Sequence, residues 1–173
     1  LPISEDARDV AAVDLVDDQE EPRLRARRRV ADVLAGYLPG LILLRDYDEG
    51  QIDVAPGAIP GWTLTLEEAR AVVAAVAGEF PADTLFGRER GDGLDGVLGA
   101  IYQSFGGQDL YPTVEEKAAN LLYFVVKDHP LSDGNKRSAA ALFVTFLARN
   151  GVLTDAAGHP RITNNALAAI TLM

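Results

Sequence analysis

The chain has 173 residues, with 26 acidic and 16 basic side chains, two histidines and no cysteine. This length and a hydrophobic content of 48% predict a folded protein with a buried core. The lack of cysteine excludes disulfides, a thiol nucleophile and a cysteine-ligated metal, and His129 and His159 alone cannot form a three-histidine zinc site. A net charge of −10 argues against broad nucleic-acid binding, which needs many cationic contacts to phosphate.

The sequence carries no signal for a membrane or for export. Its longest apolar stretches fall short of the about 20 residues that a membrane span needs. The N-terminus, Leu-Pro-Ile-Ser-Glu-Asp, is acidic and lacks the basic region and apolar core of a signal peptide. We therefore expect a soluble, cytoplasmic protein that binds neither nucleic acid nor membrane.

Residues 1–61 are predicted to form an acidic, helical N-terminal region that ends in a linker. Residues 1–60 carry 13 acidic and 7 basic side chains, so they hold more than half of the charge imbalance. Five arginines lie between positions 23 and 29. They either contact phosphate or a partner, or form the solvated face of an amphipathic helix, and the second interpretation is favoured.

The remainder of this region predicts a helix and then an extended connection. Apolar residues from Val30 to Leu41 follow helical spacing, which Pro39-Gly40 interrupts. Two Pro-Gly pairs among small residues at 54–61 indicate a linker. Residues 62–173 would then form a separate domain.

From residue 62 onward the sequence predicts a succession of helices, three of which have recognisable starts. Thr65 with Glu68 and Thr113 with Glu116 have the spacing of capping boxes. Thr163-Asn164 is a candidate cap for the last helix.

Between these starts the pattern remains helical, with one irregular stretch. Residues 81–93 are polar and rich in glycine, which predicts an exposed loop or a short hairpin. Apolar residues from Leu94 to Phe105 mark one helical face, which Gly106-Gly107 ends. A strongly apolar helix is predicted from about 135 to 150. The predicted class is all-α with at most a small hairpin.

The most informative segment is His129-Pro130-Leu131-Ser132-Asp133-Gly134-Asn135-Lys136-Arg137, between two apolar helices. A polar loop that enters a helix N-terminus presents backbone N–H groups without intrahelical partners at the positive end of the helix dipole. Gly134 would let a phosphate approach the backbone, and Lys136 and Arg137 add two positive charges. This combination predicts a phosphate site.

Two further residues of the segment suggest phosphoryl-type transfer. Asp133 offers a hard oxygen ligand for a magnesium ion that bridges substrate phosphates. Histidine side chains generally titrate at about pH 6.5, so His129 is the natural general base. Taken alone, a histidine before a proline is more often an ordinary loop residue, and Asp-Gly-Asn is more often a turn. Their occurrence together in one segment favours a phosphate site.

This segment resembles the signature loop of the Fic/Doc (Fido-domain) proteins, His-x-Phe-x-Asp/Glu-Gly/Ala-Asn-Gly/Lys-Arg. The likeness extends upstream through Gly-Ala-Ile-Tyr-Gln-Ser-Phe-Gly-Gly-Gln-Asp-Leu-Tyr-Pro and downstream through Phe-Leu-Ala-Arg-Asn-Gly. It covers residues 62–172 and is strongest to the death-on-curing branch, which includes proteins labelled virulence protein RhuM-like. The resemblance implies a helical bundle with a small β-hairpin flap.

The resemblance also implies a role for each residue of the loop. His129 would take the proton from a Ser, Thr or Tyr hydroxyl on a target protein, and that hydroxyl would attack a phosphate of ATP. Asp133 would hold Mg2+, and Leu131 would anchor the loop in the core. The phosphates would be bound by Gly134, Asn135, Lys136 and Arg137, and the flap at 85–90 would align the target through Phe86, Gly87 and Arg88.

Departures from the family pattern bear on the chemistry. Leu131 stands where phenylalanine is usual, Lys136 where AMP-transferring members have glycine, and Ala140 where they have a second arginine. The loss of a guanidinium removes a bidentate phosphate clamp. The pattern is that of the death-on-curing branch, which implies phosphate transfer from ATP, although AMP transfer stays open.

Regulation and alternative functions also follow from the resemblance. The inhibitory motif Ser/Thr-x-x-x-Glu-Gly/Asn of many members is absent from this sequence. An inhibitor on a separate chain, an antitoxin, is therefore a hypothesis. The alternatives to a transferase are a catalytically degenerate nucleotide-binding protein and a module that docks a partner through residues 1–60.

Overall fold

A computed structural model describes residues 34–42, 44–46, 48–51 and 57–173. The chain divides into two compact units, Leu1–Asp53 and Val54–Met173. The acidic stretch and the arginine run at 23–29 lie outside the described residues, as do Val30 and residues 54–56 of the predicted linker.

The first unit contains one helix, α1, among its described residues. Positions 34–42, 44–46 and 48 are helical. The predicted interruption at Pro39-Gly40 is therefore wrong, since both residues lie within the helix. A proline removes one backbone hydrogen bond and can bend a helix without ending it.

Among its described residues, 57–173, the second unit contains five helices and one hairpin, and the predicted all-α class is confirmed. The helices are α2 (Leu66–Gly78), α3 (Gly93–Ile101), α4 (Val114–Asp128), α5 (Asn135–Arg149) and α6 (Asn164–Leu172). The hairpin pairs β1 (Ser104–Phe105) with β2 (Gln108–Asp109) in antiparallel register. Helix α5 is central, because it packs against α4, α2 and α6.

The predicted helix starts are confirmed. In both capping boxes the threonine hydroxyl accepts a hydrogen bond from the backbone N–H three residues later, and the glutamate carboxylate accepts one from the threonine N–H. Thr163 caps α6 by accepting from the N–H of Ala166 at 3.1 Å. These bonds satisfy amide groups that the helix itself leaves unpaired.

The helix predicted through Phe105 ends earlier, at Ile101. Gly106 and Gly107 have φ of 60° and 81°, and they form the turn of the β1–β2 hairpin. Positive φ at both central positions is typical of the type I′ turn of two-residue hairpins, and glycine adopts it without strain. The hairpin therefore lies at 104–109 and not within 81–93, which forms a series of turns.

The core lies between α5 and the helices around it. Leu131 and Phe146 are fully buried, and the first of these belongs to the loop between α4 and α5. The apolar spacing of the helices places one face of each in this core. Other core residues include Ile101, Val114, Leu121, Val125, Ala139 and Leu142.

The hairpin is fastened to α4 by a buried lysine. Only 2% of Lys117 is exposed, and its Nζ donates to the Asp109 Oδ2 at 2.9 Å and to the carbonyl of Tyr111. The ammonium also lies 5.4 Å from the centre of the Tyr102 ring. A buried charge is stable only when paired and hydrogen-bonded, and these contacts meet that condition.

Residues 57–62 pack on the ends of two helices of the second unit. The Ala58 N–H donates to the Glu115 carboxylate at 3.0 Å, and the Val114 N–H donates to the Ala58 carbonyl at 2.8 Å. The N–H groups of Gly61 and Trp62 both donate to the Asn150 Oδ1. No helix in the described part of the chain is long and apolar enough to cross a bilayer.

Replacing Lys117 by methionine keeps the buried stem but removes the ammonium. Hydrogen bonds to charged groups contribute about 1.5–3 kcal/mol each, and methionine offsets part of this loss because it removes the cost of burying a charge, so we expect the free energy of unfolding to fall by about 2 kcal/mol. Urea denaturation followed by circular dichroism measures this change. Unchanged stability of Lys117→Met would show that the lysine does not fasten the hairpin.

Candidate functional site

A six-residue loop, 129–134, joins α4 to α5. His129 ends α4 with φ of 49° and ψ of 58°, and Gly134 precedes α5 with φ of 77°. His129 is the one non-glycine residue with positive φ among those the structure describes. The left-handed conformation is uncommon for non-glycine residues, but histidine adopts it more readily than most, and it is a common way to end a helix.

The loop is braced by the first residue of α5. The Oδ1 of Asn135 accepts from the Leu131 N–H and its Nδ2 donates to the Leu131 carbonyl, both at 2.9 Å. Leu131 is completely buried, so water cannot replace these bonds. Unpaired buried backbone groups cost about 1–3 kcal/mol each, which makes the Asn135 amide a structural brace. Its backbone N–H has no acceptor among the described residues and remains available to a ligand.

Residues 86–90 pair with the loop through their backbone. The Gly87 N–H donates to the Asp133 carbonyl at 3.1 Å, and the Ser132 N–H donates to the Arg88 carbonyl at 2.7 Å. The Arg90 N–H donates to the Pro130 carbonyl at 2.8 Å. The segment that the sequence assigned to a flap is thus attached along one edge to the loop.

Residues 86–90 are also held from the opposite side. The Glu89 carboxylate accepts from Arg70 of α2 at 2.8 Å and from the Leu94 N–H at the start of α3 at 3.3 Å. Gly87 has φ of 71°, and a Cβ there would lie 2.8 Å from the Val73 side chain. The position of the loop is therefore set by α2 and α3 as well as by α4 and α5.

Phe86 lies directly under the start of α5. A Cβ at Gly134 would lie 2.5–2.7 Å from the Phe86 ring, so only glycine fits against it. The Phe86 side chain is buried, with 7% exposed. Glycine is therefore required at position 134 for two reasons, its positive φ and the close packing of the Phe86 ring.

An open cavity of about 550 Å³ lies above the loop and the first turn of α5. Six of the predicted residues line it together, and so do Arg90 and Ser132, which the sequence did not single out. Ser132 belongs to the motif. Arg90 lies outside it, and the hydrogen bond from its backbone N–H to the Pro130 carbonyl brings it to the cavity. The predicted lining residues are His129, Asp133, Gly134, Asn135, Lys136 and Arg137.

The three predicted flap residues do not line this cavity. Phe86, Gly87 and Arg88 line a separate groove of about 400 Å³ against α2. Phe86 nevertheless contributes to the site, because its ring packs against Gly134.

The floor of the cavity is built to bind an anion. The N–H of Ser138 makes the first intrahelical bond of α5, to the Gly134 carbonyl at 2.8 Å. No described residue accepts from the N–H groups of residues 135–137. Three cationic side chains, Arg90, Lys136 and Arg137, surround these amides, against one carboxylate. This arrangement favours a phosphate-bearing ligand in a protein whose net charge is −10.

Asp133 fits the ligand set of a phosphate-bound magnesium ion. Its Oδ1 accepts from the Gly134 N–H at 2.6 Å, which orients the carboxylate and leaves Oδ2 without a partner among described residues. The described part of the chain contains no cluster of three acidic or histidine side chains that could enclose a metal. Magnesium commonly uses one or two carboxylates together with substrate phosphates and water, so a single carboxylate is sufficient.

His129 is exposed at the cavity edge. No hydrogen bond joins its ring to another described residue. The ring is therefore oriented by the backbone conformation of His129 and not by a bond to another described residue.

Arg137 is held by residues of the α2–α3 connection. Its Nη2 donates to the Asp83 Oδ2 at 3.2 Å, and its guanidinium carbon lies 4.4 Å from the ring centres of both Phe80 and Phe86. Only a spatial structure shows these contacts, because Asp83 lies 54 residues before Arg137.

Comparison with known proteins matches the same part of the chain. Residues 63–147 match the model of the Fic/DOC family, and this range contains every lining residue of the cavity. Over 59 residues the chain is 44% identical to the protein named Toxin Doc of Mycolicibacterium smegmatis (strain ATCC 700084 / mc(2)155). That match covers 34% of this chain and 45% of the relative, so it spans less than half of the relative. No solved structure matches the chain.

Replacing Gly134 by alanine tests the packing of Phe86 against α5. Gly151 provides a matched control, because its φ of 73° is similar and nothing lies within 4 Å of its Cβ position. We expect Gly151→Ala to cost about 1–2 kcal/mol for the left-handed conformation alone. Gly134→Ala adds a clash, and overpacking of this kind costs about 1–3 kcal/mol more. Equal losses of stability in the two variants, measured by thermal unfolding, would rule out the packing role.

Proposed function

Because the chain belongs to the Fic/DOC family, we propose that it is a transferase that moves phosphate or AMP from ATP to a hydroxyl of a target protein. The observation that carries this proposal is the cavity at the start of α5. It combines an exposed histidine, three unpaired helix amides and three cationic side chains within one space of about 550 Å³.

The triphosphate would bind at the N-terminus of α5. An anion at this point is attracted by the unpaired amides, by the positive end of the helix and by the side chains of Lys136 and Arg137. The cavity volume lies within the range of about 300–1,000 Å³ typical of small-ligand pockets. Arg90 on the opposite wall supplies a further charge.

Asp133 would hold a magnesium ion against the phosphates. When bound, this ion neutralises phosphate charge that develops during transfer. The Gly134 N–H would keep the Asp133 carboxylate turned toward the cavity through its bond to Oδ1.

His129 would act as the general base. Its ring would take the proton from the target hydroxyl as that oxygen forms a bond to phosphorus. The bond from phosphorus to the leaving group breaks in the same displacement: ADP leaves if phosphate is transferred, and pyrophosphate leaves if AMP is transferred. The exposed position of His129 gives a protein side chain access to it.

The residue at position 140 favours phosphate transfer. Ala140 lies one turn after Arg137 on α5 and lines an apolar recess of about 390 Å³ with Leu167 and Thr171 of α6. This recess supplies no second guanidinium to grip the phosphates from that side. The nucleotide would therefore be oriented by Arg137, Lys136 and the helix amides.

The partial likeness to a protein named Toxin Doc supports a toxin-like role. An antitoxin that restrains the activity would then act in trans. Transfer measured with and without the product of the neighbouring gene tests this partner, and equal rates would count against it.

Replacing His129 by alanine is expected to abolish transfer while ATP binding remains, because the ring takes the proton and does not build the phosphate site. Labelled ATP incubated with a cell lysate measures transfer, and calorimetry measures binding. His159→Ala is the matched control, since His159 lies outside the cavity in an exposed turn. Transfer that survives His129→Ala would refute the mechanism. ATP binding without any transfer by the unaltered chain would favour a catalytically degenerate nucleotide-binding protein.

The position of the label distinguishes the two reactions. Phosphate transfer should label the target from [γ-32P]ATP only, and AMP transfer from [α-32P]ATP only. We expect the γ label, because Ala140 leaves the phosphates without a second arginine. Labelling from the α position alone would contradict this expectation.

A further inference from the structure

Three side chains of the α2–α3 connection form a receptor for Arg137, and the proposed function does not by itself require them. They are Phe80, Asp83 and Phe86, which we call the Arg137 receptor. The Asp83 carboxylate accepts from Nη2 of the guanidinium, and the central carbon of the guanidinium lies 4.4 Å from the centres of both rings.

The backbone between 80 and 86 is folded so that these side chains converge. The Asp83 N–H donates to the Phe80 carbonyl at 3.0 Å, and the Phe86 N–H donates to the Asp83 carbonyl at 3.1 Å. Two successive four-residue turns, 80–83 and 83–86, therefore bring the side chains together. The rings of Phe80 and Phe86 are stacked, with centres 5.6 Å apart and planes inclined by 15°.

The receptor leaves part of the guanidinium open to the cavity. Asp83 engages Nη2, and 42% of the Arg137 side chain is exposed. A guanidinium has five N–H donors in a fixed plane, so one edge can bind a carboxylate while other donors face a phosphate. Arg137 lines both the main cavity and the recess beside Ala140.

We propose that Asp83 is a positioning residue for the phosphates: with Phe80 and Phe86 it fixes the orientation of the Arg137 guanidinium before the nucleotide arrives. This inference rests on the proposed function, because it takes ATP to be the ligand. A long side chain that is already ordered loses less entropy on binding. Phe86 also belongs to the segment that pairs with the loop, so the same contacts join the flap to the phosphate site.

A different role for Asp83 predicts the opposite effect of its removal on nucleotide binding. If the carboxylate were a lock that withholds Arg137 from phosphate, its removal would strengthen nucleotide binding. Asp83→Asn separates the two roles, because an amide oxygen still accepts from the guanidinium but carries no charge. Positioning requires the acceptor, whereas a lock acts through the charge.

The test measures the Kd of MgATP by calorimetry for the full chain and its variants. We expect Asp83→Ala to weaken binding about three- to tenfold, as expected when a long side chain must be ordered on binding. Asp83→Asn should restore binding to within about twofold of the unaltered chain, since it keeps the acceptor. In an Arg137→Ala background, Asp83→Ala should have no further effect.

A second measurement follows Arg137 in the absence of nucleotide. The heteronuclear NOE of its Nε–H group should indicate an ordered side chain in the unaltered protein and in Asp83→Asn. The same signal should become mobile in Asp83→Ala, while the thermal unfolding midpoint shows that this variant is folded.

Three outcomes overturn the inference. Tighter MgATP binding by Asp83→Ala would identify a lock, and unchanged binding would show that Asp83 does not act on the site. Either result leaves the proposed function intact. Failure of the unaltered chain to bind MgATP would instead overturn the proposed function, and the inference with it.

Discussion

Two hydrogen bonds between the Asn135 amide and the Leu131 backbone fix the position of the loop that carries the site. They join the loop to the first turn of α5 at a point where Leu131 is completely buried. Because water cannot substitute for them, their geometry determines where His129 and Asp133 can lie. Backbone pairing with residues 86–90 then holds the loop from the other side.

This bracing explains how an acidic protein can hold a local anion site. More than half of the overall charge of −10 lies in residues 1–60, whereas the cavity contains three cationic side chains and one carboxylate. Unpaired amides at the start of α5 add partial positive charge that a sequence count does not include. At physiological ionic strength exposed charges act over about 8 Å, so the residues beside the phosphate matter more than the net charge.

The sequence predicted the loop residues because they are contiguous, and it predicted the helix starts because capping boxes are local. It missed Arg90, Phe80 and Asp83, since backbone pairing and tertiary packing bring them to α5 without any spacing pattern. It also placed a helix end at Gly106-Gly107, where two positive φ values form a hairpin turn. The sequence assigned Asn135 to the phosphates and gave no sign that its side-chain amide also braces Leu131, because an asparagine that opens a helix can bond back to the preceding loop.

The central claim is that the N-terminus of α5 binds the phosphates of a nucleotide. The most direct measurement is a titration of the 15N-labelled full chain with MgATP, followed by the backbone amide resonances. The structure predicts that the largest shifts occur at the N–H groups of Asn135, Lys136 and Arg137, because no described residue accepts from them. Shifts concentrated elsewhere, or none at saturating MgATP, would contradict the account.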